Sequence, residues 1–184
     1  MFSLVRAYFA YTKDPSAALR NLVEQRRFGA AAAGYALAAL CWVVFFNISD
    51  ALSAWGLVWN FLFFFLLEST LGYLWAALSG LFLNFLSDGN GSSSLFMLMG
   101  VSGVVQGLLL CFALWAQAAP WLSSLAPLAV LATLGLRLVF VVCGAARAMK
   151  TPAGRVLGAL SFALVPVAAV GLLAVGSLVW LATL

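Results

Sequence analysis

Apolar residues along this chain do not alternate with polar ones; they run in long blocks separated by short polar clusters. The first block extends from about Gly29 to Phe46 and stops at Asn47-Ile48-Ser49-Asp50, and the second from about Trp55 to Leu86. Three more follow, at about Leu95 to Ala118, Leu122 to Ala146 and Gly154 to Leu184. Roughly 20 apolar residues carry an α-helix across the ~30 Å hydrocarbon core of a bilayer. The pattern therefore predicts an all-α integral membrane protein, a five-transmembrane-helix bundle occupying residues 29–184. The second block is about 32 residues long, or about 48 Å at 1.5 Å per residue, so its helix must tilt, break or project from the bilayer. Pro166 is expected to kink the fifth span, because it removes an amide and crowds the preceding turn.

Residues 1–28 are polar enough to stay out of the hydrocarbon. Asp14 followed by Pro15 reads as an N-cap and first helical position. Beyond it Leu19, Leu22 and Val23 share one face, while Arg20, Glu24 and Arg27 share another. Pro15 to Arg27 is thus expected to be a short amphipathic helix lying on the cytoplasmic membrane surface, preceded by a weaker one through Phe2, Val5 and Phe9.

Composition excludes the soluble alternative. The chain is 66% apolar and 8% charged, whereas soluble domains run nearer ~45–50% and ~25%. Nine basic residues against five acidic ones would elsewhere invite nucleic acid, but here they serve as topology signals, and nucleic-acid binding is rejected. Five of the cations (Arg6, Lys13, Arg20, Arg26, Arg27) precede the first span, and three (Arg147, Lys150, Arg155) lie between the fourth and fifth. With five spans both groups fall on one side, which places the N-terminus in the cytoplasm and the C-terminus across the membrane. Trp42, Trp55, Trp59, Trp115, Trp121 and Trp180 then gather toward the non-cytoplasmic ends, as an interfacial aromatic belt would; Trp75 does not. Because the first long apolar run begins only near Gly29, no cleaved signal peptide is expected, and neither myristoylation nor prenylation is expected from the terminal residues given.

Small residues mark where helices can approach in lipid. Gly103 and Gly107 form a GxxxG in the third span, Gly154 and Gly158 another in the fifth, and Gly72, Ala76, Ser79 and Gly80 line an arc of the second. These seams serve packing within one bundle or contacts with a second copy or another membrane protein. The Ser87–Ser94 stretch is rich in Gly and Ser, yet it lacks the spacing and lysine of a P-loop and reads as a connector.

Two ionisable residues fall at membrane depth, Glu68 in the second span and Arg137 in the fourth. Each would cost roughly 2.5–3.5 kcal/mol near the bilayer centre by insertion scales, so each should face the bundle interior and seek a partner. They can serve each other, with Asn60, Ser69, Thr70, Thr133 and Gln106 as polar neighbours. The pair is an interhelical tie, part of a proton or solute pathway, or two charges that snorkel or sit in water-filled cavities. Cys41, Cys111 and Cys143 lie in apolar runs without metal-ligand spacing. With no histidine and no paired carboxylates, neither an enzyme, a metal centre nor a cofactor is expected.

The chain resembles the Yip family of Ypt/Rab-interacting polytopic membrane proteins, in its bacterial branch. The resemblance rests on the Pro-containing segment Asp14 to Arg27, the five-span plan, and the loop Leu86 to Ser92 leading into Leu98-Met99-Gly100-Val101-Ser102. It extends through Leu136 to Gly144 and the basic turn Ala148-Met149-Lys150-Thr151-Pro152. It implies a scaffold or adaptor of the bacterial inner membrane that binds other membrane proteins or itself. The Ala, Leu and Gly bias of a bacterial chain leaves a Rab-type GTPase without an obvious place as partner. The competing expectation is a small carrier or channel for a lipid, ion or solute built around Glu68 and Arg137.

Overall fold

The computed structural model describes residues 28–47, 53–84 and 91–182, and among these it is helical without a strand. Six α-helices follow one another: α1 (Phe28–Asn47), α2 (Ala54–Asn84), α3 (Gly91–Val101), α4 (Gly107–Ala118), α5 (Ala126–Ala148) and α6 (Ala153–Ala182). A 3-10 segment, Ser102–Gln106, joins α3 to α4 into one span, and a second, Pro120–Leu125, leads into α5. Five helices are long and apolar enough to cross a membrane, consistent with a multi-pass membrane protein. The expected amphipathic helix Pro15 to Arg27 lies outside the described residues.

Boundaries differ from the sequence reading where helix propensity and capping compete. The third span begins within the Gly/Ser stretch, so Gly91 to Ser94 are helical rather than connector. The fourth begins later than expected as an α-helix, at Ala126, because Pro120 opens a 3-10 turn. The fifth continues as helix on both sides of Pro166.

The third span is the centre of the bundle. Its first half packs mainly on α2 and also on α1 and α5, and its second half mainly on α1. Its Leu95, Leu98 and Met99 form a buried cluster with Tyr35, Ala76, Leu83, Val141, Ala145, Val156 and Leu160. Burial is uneven along the bundle. Every buried residue of α2 lies at or after Gly72, and α5 buries Thr133 and then a group from Val141 onward. Toward the other end Trp55, Trp59, Trp115 and Trp121 are exposed, where indoles suit a headgroup boundary.

Close backbone approach builds this core. A Cβ added to Gly100 would stand 2.6 Å from the Ala31 carbonyl oxygen and 2.8 Å from the Ala31 Cβ, and one on Gly103 would meet the Gly34 backbone. Only hydrogen fits between α1 and the third span here. Gly72 of α2 leaves room for the Tyr35 ring, whose hydroxyl donates to the Phe96 carbonyl at 3.2 Å. Gly80 receives the Ser92 backbone, so α2 and α3 approach closely where Ala76 and Ser79 are also buried. Trp75, the exception to the aromatic belt, donates its indole N–H to the Leu160 carbonyl at 2.9 Å and ties α2 to α6.

Candidate functional site

The polar chemistry of the spans converges on one cluster. Glu68 stands near the middle of α2 and Arg137 at the middle of α5, where a run of apolar neighbours leaves neither within easy reach of water. Arg137 Nη1 lies 2.9 Å from Glu68 Oε2 and 3.2 Å from Oε1, with both side chains about 15% exposed. The guanidinium is also held from the third span: Nε donates to Ser102 Oγ at 3.1 Å and Nη2 to the Met99 carbonyl at 3.2 Å. Ser102 Oγ in turn donates to Met99 O at 2.6 Å.

The carboxylate is equally occupied. Gln106 Nε2 donates to Oε1 at 3.1 Å, and the Trp42 indole N–H donates to the same oxygen at 2.7 Å. Glu68 therefore accepts from α1, the third span and α5 at once. Bonds to an ionised acceptor are about twice as strong as neutral ones, and more so away from water. Four spans are joined through one carboxylate and one guanidinium.

The 3-10 segment belongs to this arrangement. It carries Ser102 and Gln106, both fully buried, one against the arginine and the other against the glutamate. Short 3-10 stretches inside longer helices mark strain or a hinge. Gln106 uses its amide N–H on Glu68, while its Oε1 has no hydrogen-bond partner among the described residues; the same is true of buried Ser79 Oγ. Of the other polar residues near this depth, Thr133 bonds its own helix at Ala129 O, Ser69 bonds Phe65 O, and Asn60 bonds Gly56 O.

Comparison with family models, curated proteins and solved structures yields no match.

The structure sorts the candidate small residues into two groups. Gly72, Ala76, Gly80 and Gly103 are spent on internal contacts, whereas Gly107, Gly154 and Gly158 have nothing within 4 Å of an added Cβ. The GxxxG of the third span is thus split, one glycine facing α1 and the other open space. Two participants escaped the sequence reading. The sequence pattern sets Trp42 in the aromatic belt, yet its N–H serves Glu68, and no motif marks Ser102, which receives Arg137 Nε. Trp42 lies seven residues after Tyr35, on the same face of α1, and that spacing was the available signal.

Proposed function

We propose that this chain is a non-enzymatic membrane scaffold or adaptor of the Yip type. In this reading it resides in a bacterial inner membrane, with its N-terminus cytoplasmic and its C-terminus across the bilayer, and it binds other membrane proteins or a second copy of itself. The observation that carries the proposal is the occupancy of Glu68. Its carboxylate receives donors from three other spans, so the acid is engaged in joining helices rather than held ready for a substrate. A scaffold needs that rigidity, and it needs outward faces as well. Gly154 and Gly158 supply one, since each is exposed and has open space beside it, which is the form of surface on which another helix packs closely in lipid.

The test pairs a binding readout with a flux readout. Cross-linking in native membranes should trap discrete partners or a second copy, through bulky substitutions at Gly158 being less well tolerated for capture than for folding. Purified protein in proteoliposomes should pass neither protons nor monovalent ions above the rate of empty vesicles. Flux that Glu68→Gln abolishes would overturn the scaffold reading.

A carrier is the second reading, favoured by one observation. The third span is interrupted by 3-10 geometry at mid-depth, beside a charged pair and an unpartnered Gln106 oxygen. Transporters place substrate or coupling-ion sites at such discontinuities. The same flux measurement separates the two.

A further inference from the structure

Three cations lie within nine residues around the α5–α6 turn: Arg147 in the last turn of α5, Lys150 in the turn itself and Arg155 in the first turn of α6. All three are exposed. Among the described residues Glu68 is the one acid and is held by Arg137, so none of the described carboxylates offsets these charges. Nor are their side chains needed to close the end of α5. Met149 N–H donates to Ala145 O at 2.8 Å and Thr151 N–H to Ala146 O at 3.1 Å, while the Thr151 hydroxyl donates to Met149 O at 3.2 Å.

The closing residue of that helix end is Lys150, at a φ of 51°. This left-handed conformation is the place where a helix terminus ordinarily takes glycine, because a Cβ there crowds the following carbonyl. Among the described residues it is the one non-glycine position at positive φ. Such outliers point to function when the side chain supplies something the backbone does not need. Here it supplies an ammonium group between two arginines in sequence, where two helices long and apolar enough to cross a membrane end, the place at which headgroups are expected. Fixed cations at that boundary meet the phosphates of anionic lipids, each contributing to retention of the lipid.

We propose that the α5–α6 turn is a binding site for an anionic phospholipid headgroup, with Arg147, Lys150 and Arg155 supplying the charge and the left-handed turn setting Lys150 in place. The site is independent of the Glu68 cluster and of the scaffold reading. Native mass spectrometry of the full chain in neutral detergent, titrated with phosphatidylglycerol, tests it. The wild type should bind phosphatidylglycerol in preference to phosphatidylcholine, and the lipid should bind about fivefold more weakly for each cation lost, on the order of 100-fold for R147Q/K150Q/R155Q. Lys150→Gly keeps folding and binding apart: it relieves the backbone, so this variant should melt higher in detergent while binding phosphatidylglycerol about fivefold more weakly. Unchanged phosphatidylglycerol binding by the triple variant, equal binding of phosphatidylcholine, or full competition by inorganic phosphate alone would each overturn the proposal.

Discussion

The Trp42 indole N–H stands 2.7 Å from Glu68 Oε1, so the first span grips the same carboxylate that Arg137 holds from the fourth. Hydrogen bonds to charged groups contribute about 1.5–3 kcal/mol. Trp42→Phe keeps the ring and deletes the donor, and it should lower stability by about 2 kcal/mol in a denaturation assay in bilayer-mimetic bicelles. Trp55→Phe, at an exposed position, should leave the transition unmoved; equal losses from both would deny Trp42 its role.

Breaking the ion pair from one side should be worse than removing it whole. Glu68→Gln leaves Arg137 without its counter-charge at mid-depth, a change expected to cost about 3 kcal/mol. Adding Arg137→Leu should recover a large part of that loss. A double-mutant cycle on the same denaturation assay reads the coupling directly, and additive losses would mean that the two side chains act separately.

Glycines divide by what lies beside them. Gly100→Ala puts a Cβ 2.6 Å from the Ala31 carbonyl, and backbone cannot step aside as a side chain would, so a loss of about 3 kcal/mol or failure to fold is expected. Gly158→Ala meets nothing within 4 Å and gains helix propensity of about 1 kcal/mol. Parallel expression and melting of the two variants checks the contrast; similar behaviour would contradict the α1 packing.

Much of the architecture was legible because lipid imposes one rule everywhere: an apolar run long enough to cross becomes a helix. The Glu68–Arg137 pairing was legible for a related reason, since two opposite charges at one depth have few other ways to be satisfied. The contact of Gly34 with Gly100 and Gly103 was not. Gly34 sits among alanines and Gly100 outside any GxxxG, and which glycine meets backbone depends on helix rotation that composition does not encode. The Trp42 bond was not legible either, because an indole near a helix end suits a headgroup boundary as well as it suits a carboxylate within the bundle.

Trp75 offers a test of how α6 is held. Its N–H donates to Leu160 O across the α2–α6 contact, and Trp75→Phe should cost about 1 kcal/mol. The loss should appear with faster amide exchange in α6 and little change in α1, as measured by hydrogen–deuterium exchange; uniform change would show that the bond is not local to that helix.

The Ser102–Gln106 segment also alters the phase of the third span. A 3-10 residue advances about 120° around the axis against about 100° in an α-helix, so these 5 residues rotate α4 by about 100° relative to an uninterrupted helix. The half before the segment can thus aim one stripe at α2, while the half after it aims a differently oriented stripe at α1. One continuous span behaves as two docking rods set a quarter turn apart. A residue inserted or deleted between Val101 and Gly107 would swing the whole of α4 away from α1 while leaving every side chain in it unchanged.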